Sequence, residues 1–236
     1  MNPLISKLEI VATLSNDDRA KLTSFCEHQQ AVDRGRDIVR EAGNPENVYI
    51  MLNGWAARYK TLPDGSRQFT AFLMPGDLCN GEVTVLKKMD YNVIALTPVT
   101  VAVIGRDALI AATLERPKLV QAFWRATLVD EAVLRAWLIN LGRRDAYARV
   151  AHLICELHAR MSNLGLLQQI EFDLPLTQEH LGDALGLTAV HVNRVLKRLR
   201  DEGLMTLQNR MLTLLDASLL AKAASFDPGY LQAVAI

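Results

Sequence analysis

The sequence predicts an α+β protein in three parts: a β-rich first half, one long amphipathic helix, and a helical C-terminal segment that ends in a small strand hairpin. Three observations carry that expectation. Between Val32 and Ile104, glycine-bearing turn signals recur about every ten residues, the spacing of an all-β sandwich or barrel. From Arg106 onward the glycines thin out and apolar residues fall at spacings of three and four, which is helical. Finally, Leu176–Leu199 reads as helix, tight turn, helix.

The 236 residues are 50% hydrophobic and 22% charged, a globular composition that excludes global disorder. No apolar run approaches the roughly 20 residues of a membrane-spanning helix, and Met1–Ser6 lacks the basic start and apolar core of a secretory signal. The expected location is therefore the cytoplasm, with no membrane partner. Cys26, Cys79 and Cys155 are far apart and never in Cys-x-x-Cys spacing, which argues against a disulfide framework, a structural zinc or a cysteine-clamped iron–sulfur cluster. The formal net charge is zero, so overall charge does not point to nucleic acid. Its distribution does: Thr188–Arg200 holds Arg194, Lys197, Arg198 and Arg200 with no acid.

In chain order, Ser15-Asn16-Asp17-Asp18 supplies a cap and an acidic first turn for a helix running to Gln29. The turns of the β region follow: Asp33-Arg34-Gly35, Glu41-Ala42-Gly43-Asn44, Leu52-Asn53-Gly54, Pro63-Asp64-Gly65-Ser66 and Met74-Pro75-Gly76-Asp77. Pro63-Asp64-Gly65 is the clearest hairpin tip, with Trp55–Leu62 and Arg67–Phe72 as its strands. Next, Leu119, Ala122, Ala126, Val129, Val133, Ala136 and Asn140 make a heptad seam, and Val120, Phe123, Leu134, Trp137 and Leu141 a second stripe beside it. A helix with two apolar faces has two things to cover. The small alanines favour the first seam as a homodimer interface, the alternative being a core helix with no partner. Leu141-Gly142-Arg143-Arg144 is the expected hinge, and Asp145 to Met161 resumes helical spacing. The segments are then 1–116, 117–142 and 143–236.

Within the last segment, Thr177 can cap a helix to Leu185, Gly186 permits the turn, and Thr188 can cap a second helix to about Glu202. On that helix Val192, Val195, Leu196 and Leu199 form the buried stripe, leaving Ala189, Val190, Asn193, Arg194 and Lys197 on the opposite face. Amide and guanidinium groups near the start of an exposed helix suit the DNA major groove, where Arg grips guanine and Asn adenine bidentately. Leu204–Leu207 and Met211–Leu215, around Gln208-Asn209-Arg210, have the size of a wing whose Arg210 could touch phosphate. Asp216 then caps a helix at Ala217–Ala224. Candidate DNA contacts are Thr177, Gln178, Thr188, Ala189, Val190, His191, Asn193, Arg194, Lys197 and Arg210, with double-stranded DNA as the partner. His180 and His191 have no partner at metal-ligand spacing.

On these motifs, above all Leu176–Leu199 followed by Asp201-Glu202-Gly203-Leu204, and more weakly Pro75-Gly76-Asp77-Leu78 and Gly81-Glu82, the chain resembles the CRP/FNR superfamily of transcription regulators over nearly its whole length. The resemblance implies a jelly-roll-like β-roll of cyclic-nucleotide-binding type as a sensor domain, a long dimerisation helix and a C-terminal winged helix-turn-helix. It also implies a homodimer on a palindromic operator, with RNA polymerase as a further partner. In cyclic-AMP-binding relatives the Gly-Glu pair is followed about ten residues later by Arg-Ser. Gly81, Glu82, Asn92 and Val93 stand at those positions here, so the phosphate-binding cation is missing and the effector is expected to be something other than cyclic AMP. The cysteine cluster of the oxygen-sensing branch is missing as well. Many relatives carry Glu at the position of Val190 and Ser or Gly at that of Asn193. Only Arg194 matches, so the operator should differ from the usual one. Two other classes compete. An enzyme would use Asp77, Glu82 or Asp90, but no nucleophile–base pair accompanies them. A protein scaffold would have no need of the Asn193, Arg194 and Lys197 face.

Overall fold

The computed structural model describes residues 2–167 and 171–232; the last four residues of the third expected segment lie outside the described residues. It forms two compact units, the first running to Leu128 and the second beginning at Val129, so the division falls inside the long helix and not at its end.

The first unit opens with α1 (Pro3–Glu9) and α2 (Asn16–Phe25). The expected cap at Ser15 is present as a reciprocal box: Ser15 Oγ accepts from the Asp18 amide while Asp18 accepts from the Ser15 amide. The helix ends at Phe25, short of Gln29, because Gln29–Val32 is strand β1, paired with a later strand. Strands β2 (Asp37–Val39), β3 (Asn47–Asn53), β4 (Ala56–Thr61), β5 (Arg67–Leu73), β6 (Asn92–Ala95) and β7 (Val99–Gly105) follow. They form two antiparallel sheets, β1-β7-β3 and β2-β6-β4-β5, as the β-roll expectation requires. The β4–β5 hairpin turns at the predicted tip, where the Leu62 amide donates to the Ser66 carbonyl. Ile50, Met51, Phe69, Phe72, Val93 and Val101 are buried, with Phe69 and Phe72 edge to face at 5.8 Å. The helix α1 was not expected, whereas α3 (Arg106–Glu115), leading into α4 (Pro117–Arg143), begins where the period turns helical.

Gly142 does not break α4, which runs on to Arg143. An isolated glycine costs a helix only about 1 kcal/mol, and the last turns are held by packing: the Trp137 indole N–H donates to Glu156 on the next helix at 3.0 Å. That helix, α5 (Ala146–Asn163), starts at Asp145, whose carboxylate accepts from the Ala148 amide at 2.8 Å. Then come β8 (Glu171–Asp173), α6 (Gln178–Leu185), α7 (Ala189–Asp201), β9 (Met205–Gln208), β10 (Met211–Leu214) and α8 (Ala217–Ala224). The expected hairpin is β9–β10, and β8 joins its free edge to give the order β8-β10-β9. The core of this unit lies between the apolar stripes of α5 (Val150, Leu153, Ile154, Leu157) and α7 (Val192, Val195, Leu196, Leu199), with Leu220 of α8.

Candidate nucleic-acid interface

The helix-turn-helix is built by local chemistry. Thr177 Oγ1 accepts from the His180 amide at 3.1 Å and His180 Nδ1 accepts from the Thr177 amide at 3.3 Å, so the histidine completes a capping box. Gly186 closes α6 in the left-handed conformation, φ 63°. Gly182 faces the turn so closely that an added Cβ would lie 2.5 Å from the Leu187 carbonyl oxygen, so only glycine lets α6 meet the turn. Thr188 Oγ1 accepts from the His191 amide and starts α7.

The amphipathic split of α7 is as read from the period. Val192, Val195, Leu196 and Leu199 are buried, and Ala189, Val190, His191, Asn193, Arg194 and Lys197 are exposed. Val190 is 62% exposed, an apolar residue that the fold leaves uncovered. Thr177 and Gln178 lie exposed at the start of α6. The structure thus brings nine of the ten candidate contacts to the two helix N-termini and the outer face of α7.

The cations are unequal. Arg198 donates to Glu202 at 2.8 Å and its guanidinium lies 4.2 Å from the centre of the Tyr147 ring, whose hydroxyl also donates to Glu202. Burial and the Glu202 carboxylate raise the Tyr147 hydroxyl to about 12. Arg198 therefore braces the end of α7 against the start of α5. Arg210 has a partner within the chain. It does stand at the wing tip, in a two-residue turn where Asn209 and Arg210 both have positive φ (49° and 70°). Its guanidinium, however, is paired side-on with the Asp173 carboxylate of β8 at 2.7 and 3.1 Å, so its charge is already answered within the wing. That pairing depends on β8, a three-residue strand with too short a pattern to read from sequence.

The four effector-pocket positions have different surroundings. Val93 is fully buried in the core of β6, and Asn92 Oδ1 accepts from the Glu41 amide at 2.9 Å, tying β6 to the turn after β2. Gly81 and Glu82 open a single 3-10 turn, Gly81–Thr84. Glu82 is engaged from within: the Tyr91 hydroxyl donates to it at 2.6 Å and Arg58 Nη1 lies 3.9 Å away. Arg58 also donates to the Leu78 carbonyl at 2.7 Å and sits over the Tyr91 ring. Burial, then the Glu82 charge, holds the Tyr91 proton well above the usual phenol range. Sequence reasoning missed Arg58 and Tyr91, because nothing local ties strand position 58 to positions 82 and 91. The three cysteines are buried, and burial raises Cys79 and Cys155 to about 12. Among the described residues no group of three or more His, Cys, Asp or Glu could hold a metal ion, and no helix is long and apolar enough to cross a membrane.

The seam of α4 is not the exposed side of the helix. Leu119, Ala122, Ala126, Val129, Val133 and Asn140 are buried within a single chain, and Ala136 is half-buried, so this face is covered before any partner arrives. The uncovered apolar residues of α4 are Val120, Trp124, Leu128, Leu134, Leu138, Ile139 and Leu141, with Trp124 65% and Leu138 70% exposed. Of the second stripe read from the sequence, Val120, Leu134 and Leu141 are among the exposed residues, while Trp137 is buried.

An antiparallel β-domain, a long helix and a capped helix-turn-helix with a wing together define a two-domain DNA-binding transcription regulator. Comparison with known proteins agrees: residues 29–115 match the cyclic nucleotide-binding domain and residues 148–223 the Crp-like helix-turn-helix domain, the two together spanning more than half of the chain. The nitrogen fixation regulation protein FixK of Azorhizobium caulinodans is 28% identical over 193 residues, 81% of this chain and 77% of its own. The transcriptional activator protein FnrL of Cereibacter sphaeroides is 27% identical over 206 residues, 85% of this chain and 81% of its own. Among solved structures, FixK2 from Bradyrhizobium japonicum has a TM-score of 0.77 at 26% identity, covering 84% of this chain and 98% of that one. The chain belongs to the CRP/FNR superfamily of transcription regulators. Its relatives are regulators and not enzymes, which sets aside the catalytic alternative.

Proposed function

We propose that this regulator works in the cytoplasm as a homodimer, paired through the exposed Val120–Leu141 stripe of α4, and reads an approximately palindromic operator with half-sites about one helical turn, roughly 34 Å, apart. RNA polymerase is its further partner. The observation that carries the DNA reading is the exposed Val190, Asn193, Arg194 and Lys197 face on a helix whose other face is wholly buried. Arg194 has the fork to grip a guanine edge, Asn193 can pair with adenine, and Val190 suits a thymine methyl. Arg194→Ala should cost about 1–3 kcal/mol on the selected operator and relax preference at one base pair per half-site. The check is a salt series on operator and scrambled duplexes; equal losses on both would make Arg194 a backbone contact and pass base reading to Asn193 or His191.

A second reading concerns the β-roll. The cassette Gly81–Thr84 is closed by Arg58, Glu82 and Tyr91 of the chain itself, which supports a regulator that does not take cyclic AMP and is governed by its abundance or another signal. A cyclic phosphate there would meet the Glu82 carboxylate beside an arginine already engaged, and burying an unpaired charge is costly. Titration calorimetry with cyclic AMP should show little heat and operator affinity should not change; a micromolar dissociation constant would overturn this reading.

A further inference from the structure

The second unit contains a junction that the DNA-reading face does not explain. Arg149, in the first turn of α5, donates through Nη1 to the Leu185 carbonyl at 2.7 Å, and through Nη2 to the Arg144 and Leu141 carbonyls at 3.0 and 3.2 Å. Leu185 is the last residue of α6; Leu141 and Arg144 lie in the last turn of α4 and just beyond it. These are carbonyls from the ends of helices, where the backbone has no intrahelical donor and the dipole is negative. One guanidinium thus satisfies three carbonyls from two helix ends. Its Nε is buried with no hydrogen-bond partner among the described residues, which shows how far the group has been drawn into the junction. The turn between α6 and α7 closes over the same place: a Cβ on Gly186 would lie 3.4 Å from Leu141 Cδ2 and 3.8 Å from Arg149 Nη1.

We propose that Arg149 is a positioning residue that fixes the helix-turn-helix against the last turns of α4, and thereby sets the half-site separation at which two copies of the chain read DNA. This rests on the homodimer reading above. The requirement is geometric. Two recognition helices engage two half-sites together only if each is held at a set angle to the helix that joins the subunits. A planar fork that bonds both helix ends at once holds that angle, whereas a lysine ammonium donates from one point.

The test uses the full-length protein, an operator obtained by in vitro selection, and the same operator with one base pair inserted or deleted at its centre. The wild-type chain should prefer the parent spacing by about tenfold or more, the effect of some 1.4 kcal/mol. Arg149→Met should lose most of that preference, binding all three duplexes within about threefold of one another, and should bind a single half-site as wild type does; Arg149→Lys should fall between. Lost stability alone would weaken binding to every duplex equally. If Arg149→Met proves too unstable to purify, Arg149→Lys carries the same test, with an unchanged spacing preference counting against the proposal. Full wild-type discrimination in folded, dimeric variants would overturn the role of Arg149 alone. A wild-type chain indifferent to spacing would overturn the dimer reading, and Arg149 as its ruler with it.

Discussion

Acid should destabilise the second unit through His152. The ring is 2% exposed, stacked on Tyr230 at 6.2 Å with an interplanar angle of 8° and edge-on to Phe226 at 5.2 Å. Arg144 Nη1 donates to Asn140 Oδ1 at 3.0 Å, which turns the Asn140 amide NH2 toward His152; at 3.1 Å His152 Nδ1 is the acceptor and carries no proton. Protonating it would set a donor against a donor beside the Arg144 charge. Burial first, and Arg144 second, push the imidazole down from 6.5 to about 4. In that window the unfolded chain binds a proton that the folded chain refuses, so stability is fully present above about pH 6.5 and is lost as pH falls toward 4. At 1.36 kcal/mol per pH unit the loss is about 3 kcal/mol. His158, lowered by burial, adds in the same direction, while buried Glu156, raised above 4.5, acts in the opposite one. The measurement is therefore a difference: urea unfolding of wild type and His152→Phe at steps from pH 7 to pH 4. The variant should be less stable at pH 7, because the Asn140 amide loses its acceptor, by about 1–3 kcal/mol. It should also lack about 3 kcal/mol of the wild-type pH dependence. Parallel curves for the two proteins, or a His152 resonance titrating near 6.5 in the folded state, would refute the reasoning.

Gly182→Ala drives a Cβ to 2.5 Å from the Leu187 carbonyl and should cost about 1–3 kcal/mol, read by urea unfolding, with operator binding lost as the turn is displaced. Trp124→Glu with Leu138→Glu places charge on the exposed stripe of α4 and should dissociate the subunits in sedimentation while leaving the chain folded; Val129→Glu, buried within one chain, should instead unfold it. Asp173→Ala frees the Arg210 guanidinium at the wing tip, so non-specific DNA affinity should rise and the salt dependence steepen by about one unit per subunit, as followed on a scrambled duplex.

Features under the control of local chemistry are legible along the chain. A Ser or Thr hydroxyl standing just before a helical period can accept from the amide three residues on, so Ser15, Thr177 and Thr188 mark helix starts, and the Pro63-Asp64-Gly65 tip marks a hairpin. The period of 3.6 assigns Val192 and Arg194 to opposite faces of α7 without reference to the rest of the fold, and the exposed polar face was therefore legible in advance. Packing in three dimensions decided which apolar residues of α4 are covered, because periodicity says that a face is apolar and not what meets it. It also decided the Arg210–Asp173 pair, the closure of Glu82 by Arg58 and Tyr91, and the convergence of Leu141, Arg144 and Leu185 on Arg149. Each joins residues from separate elements. A charged side chain's partner is fixed by where the backbone places the opposite charge or free carbonyl, and no spacing along the chain records that distance.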